Sequence, residues 1–445
     1  MSRKLSGQLG VLGSGVAIGF ALRLVQSALV ARLLGINEFG KFATVAALMA
    51  IVSRLNDLGL PNTVAYYFRR SRGAFRPLMR VAYLDFILCW VVSLALVALL
   101  PRFPLAISPD LRDAPVRQLI LAAYIAVNTP TWILPGFVTA AADYTAYARL
   151  TNLDAGLQAL FSVSACLVLG PSYFHVVAAL AVEQCLMTCV YLWFVRRYSG
   201  LAPDDPVSPR EIISYGVRLQ WGVVMKLISS RADILTVGAL TNARLAGLYS
   251  VALNIRDIGL LPQSVYAAPF QNLVIDRSRD EKISDRPAVM TGLLLQLLLS
   301  IAMAVAAALA LPLLIPAVYG SAFQAAVAPA VVLFASVVFL GPAGLCWMTF
   351  NAKGRPHLTS LQLTAAGIVG PGLTYLLIKT GHGLLGAAWG GVATAALTFI
   401  LCIVFLQRLQ HYRREDIRAG WKRVRSLMDA AVLRAKSALA GPPRG

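Results

Sequence analysis

Basic side chains occur in the middle of apolar stretches of this sequence, where a charge is costly. Arg23, Arg54, Lys226 and Arg256 each lie near the centre of a different apolar stretch. A charge at the centre of a bilayer costs on the order of 2.5–3.5 kcal/mol on insertion scales, so such residues mark functional sites by default. Arginine binds phosphate or carboxylate by bidentate hydrogen bonding and lysine binds them as a point charge. These four residues therefore predict a site for an anion.

Further polar residues accompany these bases. Gln26 lies three residues after Arg23 and hence on the same helical face. The four stretches hold six bases against three acids, Asp57, Asp233 and Asp257, and the surplus favours a cationic cavity that an anionic substrate neutralises. The predicted substrate-binding residues are Arg23, Arg54, Lys226, Arg256, Arg218, Arg231 and Gln26.

An alternative interpretation is that the charges only form ion pairs between or within helices. Arg54 and Asp57 are three residues apart and can pair on one helical face, whereas Arg256 and Asp257 are adjacent and are expected to point in different directions. The pairing interpretation stays open beside the anion site.

A metal site is not expected. The six cysteines all fall inside apolar stretches, and Cys185 and Cys189, one helical turn apart, have no histidine or third cysteine beside them. No metal or other cofactor is predicted.

The composition indicates that the elements carrying these residues cross a membrane. Of the 445 residues 58% are hydrophobic and 13% are charged, with a mean hydropathy of +0.70. A bilayer-spanning helix needs about 20 mostly apolar residues, and such stretches recur along the whole chain. We predict an all-α integral membrane fold of about twelve spans, at residues 8–34, 42–68, 78–100, 114–140, 146–169, 173–196, 211–240, 245–273, 287–315, 324–351, 357–379 and 383–408.

The distribution of charge predicts the orientation in the membrane. The chain has 40 Lys and Arg against 20 Asp and Glu, a balance that suggests nucleic-acid binding in a water-soluble protein. Here the basic residues concentrate in alternate loops, as the positive-inside rule requires. Both termini are therefore predicted in the cytoplasm, and no nucleic-acid partner is expected.

A proline-rich linker near residues 199–209 divides the predicted spans into two sets of six. We predict an N-terminal lobe at residues 1–204, a C-terminal lobe at residues 205–408, and a basic amphipathic cytoplasmic tail at residues 409–445. The lobes are expected to be pseudo-symmetric about a central cavity. The tail is expected to lie on the membrane surface, although a solvated basic tail fits equally well. Prolines 61, 135, 262 and 342 predict kinks.

Five short motifs resemble a known family. They are Arg32–Gly40 (RLLGINEFG), Asp57–Pro61 (DLGLP), Tyr319–Phe323 (YGSAF), Ala352–Arg355 (AKGR) and Gly383–Ala388 (GLLGAA). Their order, their spacing and the twelve-span layout resemble polysaccharide flippases of the Wzx type, which handle O-antigen and exopolysaccharide units, within the multidrug/oligosaccharidyl-lipid/polysaccharide (MOP) superfamily.

The resemblance implies a MATE-like fold of two six-helix bundles in a bacterial inner membrane. It also implies translocation of an undecaprenyl-pyrophosphate-linked oligosaccharide to the outer leaflet by alternating access, for envelope or exopolysaccharide synthesis. Polymerase or export proteins of the same pathway would be partners, beside membrane lipids and the lipid-linked glycan. A Na⁺ or H⁺ gradient would drive the cycle, and the candidate ion carriers are Asp57, Asp233, Asp257 and Glu183.

Two other functions stay open. A multidrug or small-molecule antiporter of the same superfamily would need an acid-rich cavity for cationic drugs, which the surplus of bases disfavours. A membrane glycan polymerase or ligase would need a large external loop with catalytic residues, and the predicted external loops are short. We therefore expect a transporter and not an enzyme.

Overall fold

The computed structural model describes residues 3–70, 75–103, 105, 107–112, 114–141, 143–199, 208–263, 270, 274 and 286–439. Across these residues the chain is helical and contains no β-strand. The α-helices, numbered here in chain order, are α1 (Arg3–Asn56), α2 (Leu60–Arg70), α3 (Phe75–Leu99), α4 (Ser108–Leu111), α5 (Pro115–Ile133), α6 (Pro135–Ala140), α7 (Tyr144–Val168), α8 (Tyr173–Val195), α9 (Pro209–Leu240), α10 (Ala243–Gly259), α11 (Arg286–Tyr319), α12 (Val327–Phe334), α13 (Val337–Ala352), α14 (Pro356–Leu377), α15 (Gly383–Gln410) and α16 (Arg414–Leu439).

The first helical element contains two membrane crossings. Gly35 interrupts α1 with φ 72° and ψ 170°, a left-handed conformation that favours glycine. Before Gly35 the chain runs alongside α7, where the Gln26 amide donates to Ser162, and after it the chain runs back alongside α5, where Ser53 donates to the Ile125 carbonyl. Short polar contacts thus fix the crossings on either side of Gly35.

Within the part of the chain that the structure describes, six helical stretches are long and apolar enough to cross a membrane, or seven when one bent pair is counted as a span. The stretch Ala17–Asn56 has 40 residues and contains the turn at Gly35, and His357–Gln410 has 54 residues and contains a second turn at Gly381. Helices α7, α9 and α10 are less apolar because they carry the charged residues described below. Together these elements form the predicted multi-pass helical bundle.

The outer surface of the bundle is apolar, as a lipid-facing surface must be. On α3, Leu84, Ile87 and Val91 are exposed at three- and four-residue steps, whereas Asp85 and Cys89 on the opposite face are buried. On α11 the strongly exposed side chains include Leu309 and Leu313. In water such a surface would drive aggregation, and in lipid it has no such cost.

The beginnings of several helices are fixed by capping side chains. Asp143 accepts from the Ala146 backbone at the start of α7, and Asn242 accepts from the Leu245 backbone at the start of α10. Ser208 caps α9 by accepting from the backbone of Glu211. Each cap satisfies an amide that has no partner within its helix, and it places the start of a cavity-lining helix.

The helices before residue 200 contact those after residue 208 at both ends of the bundle. At one end, which we call the Gly35 end, Gly40 lies against the Ala243 carbonyl and the Gly247 backbone. At the opposite end, which carries α16 and is called here the tail end, Gly59 lies against the Gly216 backbone. There the Tyr66 and Tyr215 rings stack with centroids 4.7 Å apart.

The tail forms α16, which packs against the beginning of α11. Gly420 lies against Met290 of α11, and Val424 is buried. Ile417, Trp421 and Met428 are exposed. Val424 lies at the same three- and four-residue steps as these three residues, but in the structure it faces the bundle. Residues 431–439 are helical, and the predicted linker at residues 200–207 lies outside the described residues.

Candidate cavity for an anionic substrate

A cavity of about 700 Å³ opens among α1, α2 and α5 to α10. We call it the Arg23 cavity. Its charged lining residues are Arg23, Arg54, Asp154 and Arg231. Most of the lining belongs to helices before residue 200, but Arg231 and Asn254 come from the second half of the chain. The cavity therefore lies where the two halves meet.

Arg23 is paired with a carboxylate that the sequence analysis did not assign to the site. Its guanidinium lies 3.0 Å from Asp154 Oδ2, with Arg23 48% exposed and Asp154 11% exposed. The Gln158 amide also donates to Asp154. Gln26, predicted to share a face with Arg23, donates to the Gln158 carbonyl and to Ser162. This part of the cavity is a hydrogen-bonded polar strip along α1 and α7.

Arg54 is held between an acid and an aromatic ring. Its guanidinium lies 2.8 Å from Asp57 Oδ2, which confirms the predicted i,i+3 pair, and 3.9 Å from the centre of the Trp132 ring. Asp57 is 1% exposed and accepts from the Gly59 backbone through its other oxygen. Asp57 is therefore buried behind Arg54 and does not line the cavity.

Planar amides also line the Arg23 cavity. Asn128 donates to Ser53 and Asn254 donates to Ser27, an interaction that joins the second half of the chain to α1. The Gln184 amide donates to Glu183 and accepts from Thr131. Each of these nitrogens thus donates one hydrogen bond to the protein.

A second cavity of about 360 Å³ lies among α9, α10, α13, α14 and α15. We call it the Lys226 cavity. Its charged lining residues are Lys226, Arg231, Asp233, Arg256 and Asp257. Arg231 lines both cavities, so this one side chain marks their boundary. The four bases that the sequence placed in one cavity are divided between two adjoining ones.

The expectation that Arg256 and Asp257 point in different directions is wrong. The Arg256 Nη2 atom lies 2.8 Å from Asp257 Oδ1, and its Nε atom donates to the same oxygen. Arg231 lies 2.9 Å from Asp257 Oδ2. An arginine side chain is long enough to turn back to its neighbour, so Asp257 holds two guanidinium groups.

Lys226 is the cavity base with no described ion pair. No carboxylate among the described residues lies within 4.0 Å of its ammonium group, which instead lies 5.3 Å from the centre of the Trp347 ring. An ammonium over an indole face is stabilised by the ring quadrupole, but its charge is not neutralised. Lys226 is therefore the lining base of this cavity that has no carboxylate partner among the described residues.

The other predicted site residues lie as follows. Asp233 lines the Lys226 cavity and accepts from the Tyr249 hydroxyl at 2.8 Å. Glu183 is completely buried behind the Arg23 cavity, where Gln184 donates to it at 2.7 Å. The Arg218 side chain lies outside the described residues.

Together, the described linings hold five bases, Arg23, Arg54, Lys226, Arg231 and Arg256, against three acids, Asp154, Asp233 and Asp257. A net positive surplus is present, and it is smaller by one than the surplus counted from the sequence because Arg218 lies outside the described residues, while Asp154 replaces Asp57 among the acids. Ion pairs and a cationic cavity therefore coexist.

Several lining residues escaped the sequence analysis. Asp154 and Gln158 are four residues apart on α7, followed by Ser162 at the same spacing, a polar strip that this periodicity reveals. Trp132, Asn128 and other uncharged lining residues have no such signal, because aromatic and amide residues occur throughout apolar helices.

The chain matches the family model described as polysaccharide biosynthesis protein over residues 8–275. No curated protein sequence matches it. Among solved structures, an inward-facing multidrug resistance MATE family transporter of the MOP superfamily superposes with a TM-score of 0.68 at 13% identity, covering 93% of this chain and 98% of that one. An outward-facing transporter of the same description gives 0.62 at 17% identity, covering 95% and 96%.

A third similar structure is a MOP superfamily transporter from Pyrococcus furiosus, with a TM-score of 0.63 at 16% identity, covering 95% of this chain and 96% of that one. Its description states that a reversed polarity of the binding pocket suggests a different function. At these identities the solved structures show a shared fold. The family match covers more than half of the chain, which therefore belongs to the polysaccharide biosynthesis protein family of Wzx-type flippases, with the fold of MOP superfamily transporters.

Proposed function

We propose that this protein is a flippase that moves a polyprenyl-pyrophosphate-linked oligosaccharide from the cytoplasmic to the outer leaflet, for envelope or exopolysaccharide synthesis. The observation that carries the proposal is the positive surplus of the two adjoining cavities, five bases against three acids. A lipid-linked glycan of this class carries a diphosphate between its lipid and its sugars. A positive cavity inside the membrane binds such an anion and offsets its desolvation.

The membrane placement belongs to the same proposal. The tail end, with its basic α16, is assigned to the cytoplasm of a bacterial inner membrane by the positive-inside rule, and the Gly35 end to the outside. The gradient that would drive the cycle is proposed to be Na⁺ or H⁺. Of the four candidate carriers, Asp233 and Asp257 line a cavity, while Asp57 and Glu183 lie behind one.

A multidrug antiporter is the second candidate, because MATE transporters share the fold. The cavity charge disfavours it, since a cationic drug would meet Lys226 and the paired arginines. The description of the Pyrococcus furiosus transporter ties pocket polarity to function in the same way. A glycan polymerase or ligase lacks a comparable supporting observation in the described residues.

The test is the sidedness of lipid-linked glycan in cells depleted of this protein, measured with a membrane-impermeant label and extraction. We expect polyprenyl-linked repeat units to accumulate on the cytoplasmic face. Normal sidedness, with unpolymerised glycan outside, would instead indicate an enzyme of the pathway. Unchanged glycan with increased drug sensitivity would support the antiporter.

A further inference from the structure

We propose that the two cavities bind different parts of the substrate: the Lys226 cavity takes the diphosphate and the Arg23 cavity takes the sugars. This inference rests on the proposed function and adds to it a division of the binding site. It follows from how each cavity neutralises its charges, from the hydrogen-bonding groups that each presents, and from their sizes.

Two of the three bases that line the Arg23 cavity, Arg23 and Arg54, are each paired with a carboxylate of their own. Arg23 has Asp154 as its partner and Arg54 has Asp57, each at 3.0 Å or less. An anion entering this cavity would have to compete with a fixed carboxylate at each guanidinium. Such a site therefore attracts a second anion only weakly.

The Lys226 cavity differs in holding a base with no described carboxylate partner, Lys226. Arg231 and Arg256 both pair with Asp257, and Asp233 is the other lining acid, so three bases face two acids. Two guanidinium groups on one carboxylate also leave donor N–H groups unmatched. The hydroxyl groups of Ser229 and Thr374 also line this cavity and can donate to phosphate oxygens.

The Arg23 cavity presents neutral acceptors. The nitrogens of Gln26, Asn128, Gln158 and Asn254 donate to protein oxygens, whereas no described residue donates to their amide carbonyl oxygens. These oxygens lie in a cavity lining and can accept from a ligand. Sugar hydroxyls are donors, and phosphate oxygens at neutral pH are acceptors, so four unmatched acceptors favour sugars.

The size and aromatic lining of the Arg23 cavity agree with this assignment. Its volume of about 700 Å³ is roughly double the 360 Å³ of the Lys226 cavity. Trp132 is 41% exposed and lines it together with Tyr147 and Tyr191. The C–H faces of pyranose rings pack on such aromatic surfaces. An oligosaccharide needs this room, and a diphosphate does not.

Arg231 marks the boundary between the proposed sugar site and the proposed diphosphate site. It lines both cavities, so the bond between the second phosphate and the first sugar is placed beside it. A ligand that spans the boundary then contacts both halves of the chain at once, through Asn254 and Arg231 on one side and α1, α5 and α7 on the other. Such a ligand can couple the relative movement of the halves to its own transfer.

The first experiment measures the binding of inorganic pyrophosphate to the purified full chain by calorimetry. Lys226→Gln should weaken binding about tenfold, because a hydrogen bond to a charged group contributes roughly 1.5–3 kcal/mol. The matched control is the double variant Arg23→Gln with Asp154→Asn, which removes an ion pair from the other cavity without changing the net charge. It should leave pyrophosphate affinity unchanged.

The second experiment measures export in cells that supply two lipid-linked glycans with the same diphosphate lipid but different sugars. Asn128→Ala and Trp132→Ala should change the ratio of the two exported glycans, because each glycan uses different contacts in the Arg23 cavity. Lys226→Gln should lower export of both by the same factor, since both carry the same diphosphate.

Each outcome decides a separate claim. If the double control variant weakens pyrophosphate binding as much as Lys226→Gln does, or if Lys226→Gln alone changes the glycan ratio, the division between cavities is wrong while the flippase can still stand. If the unaltered protein exports neither glycan, in cells where a flippase of known activity does export glycan, the proposed function itself fails.

Discussion

At the scale of single residues, the ion pairs of the two cavities differ in how deeply their arginine side chains are buried. Arg256 is 8% exposed and depends on Asp257, whereas Arg23 is 48% exposed and can be solvated from the cavity when its partner is lost. Removing one member of a buried pair leaves an unpaired buried charge, but removing a member of an exposed pair leaves a charge that water can reach. The two pairs should therefore differ in energetic cost.

We expect Asp257→Asn to lower the free energy of unfolding by about 3–5 kcal/mol, and Asp154→Asn by about 1 kcal/mol or less. The substitution is chemically the same at both sites, so each is the control for the other. Reversible unfolding of the purified protein in mixed micelles measures the difference. Equal losses would show that the Arg23 pair is as deeply desolvated as the Arg256 pair.

The residue types of the site could be predicted from the sequence, but its ion pairs could be predicted only in part. Mid-membrane charges selected Arg23, Arg54, Lys226 and Arg256, and helical spacing identified Arg54 with Asp57. Spacing along one helix cannot predict contacts between helices, which is why Asp154 was not matched to Arg23. Helical spacing also gave the wrong result for the adjacent residues Arg256 and Asp257. It assumes that a side chain points in the direction of its Cα–Cβ bond, whereas a long arginine side chain can turn back.

At the scale of elements, α16 carries an apolar strip that the bundle does not cover. Ile417, Trp421 and Met428 are exposed at steps of four and seven residues, beside the Val424 side that packs on α11. Arg425 lies four residues after Trp421 and three before Met428, so it borders the strip, while Arg423 does not. We propose that this strip lies in the cytoplasmic lipid headgroups, with the arginine on anionic lipid.

Hydrogen–deuterium exchange of α16 in nanodiscs tests this proposal. Exchange should be slower with anionic lipid than with zwitterionic lipid, because each basic residue near an anionic surface contributes about 1 kcal/mol. Arg425→Gln should reduce the difference and Arg423→Gln should not. Identical exchange in both lipids would indicate the solvated tail, and protection that appears only at high protein concentration would indicate contact with a second copy.

The presence of long apolar helices could be predicted from the sequence, but not every bend within them. Pro61 and Pro135 lie at the beginnings of α2 and α6, where the helices do break. Pro342 lies inside α13, and the 44° bend of that span falls between Phe334 and Val337 instead. Proline removes only one backbone donor, so the packing of neighbouring helices decides whether a membrane helix breaks there.

At the scale of the whole molecule, glycines set how closely the two halves approach at each end. An added Cβ at Gly40 would meet the Ala243 carbonyl, and one at Gly216 would meet the Leu58 carbonyl. Both obstacles are backbone atoms, which cannot turn aside as a side chain can. A single methyl group at either position therefore opposes closure of that end alone.

Gly40→Ala should shift the population toward states that are open at the Gly35 end, and Gly216→Ala toward states open at the tail end. Distances between spin labels placed across each end measure the two populations. Gly156→Ala is the control, because a Cβ there meets nothing within 4 Å. If Gly40→Ala and Gly216→Ala shift both ends in the same direction, the ends do not open alternately.

The overall architecture followed from hydropathy and charge, because lipid leaves few folds available to a chain of this composition. The division of the site into two cavities could not be predicted in this way. It depends on which faces of α9 and α10 meet α1, and close backbone contacts decide this. A Cβ added at Gly247, for example, would lie 2.5 Å from the carbonyl oxygen of Ile36. Sequence periodicity gives the face of a helix but not its neighbour.

The most direct test of the flippase proposal uses liposomes that contain this protein as their only protein, a fluorescent polyprenyl-diphosphate-linked glycan, and a Na⁺ or H⁺ gradient imposed across the membrane. A membrane-impermeant quencher reports how fast inner-leaflet glycan reaches the outer leaflet. We predict movement above that of protein-free liposomes, slowed about tenfold by Lys226→Gln, as expected from one lost charged hydrogen bond. Movement no faster than in protein-free liposomes, with the protein folded, would contradict the proposal, and an equal rate for Lys226→Gln would contradict the role of the cationic cavity.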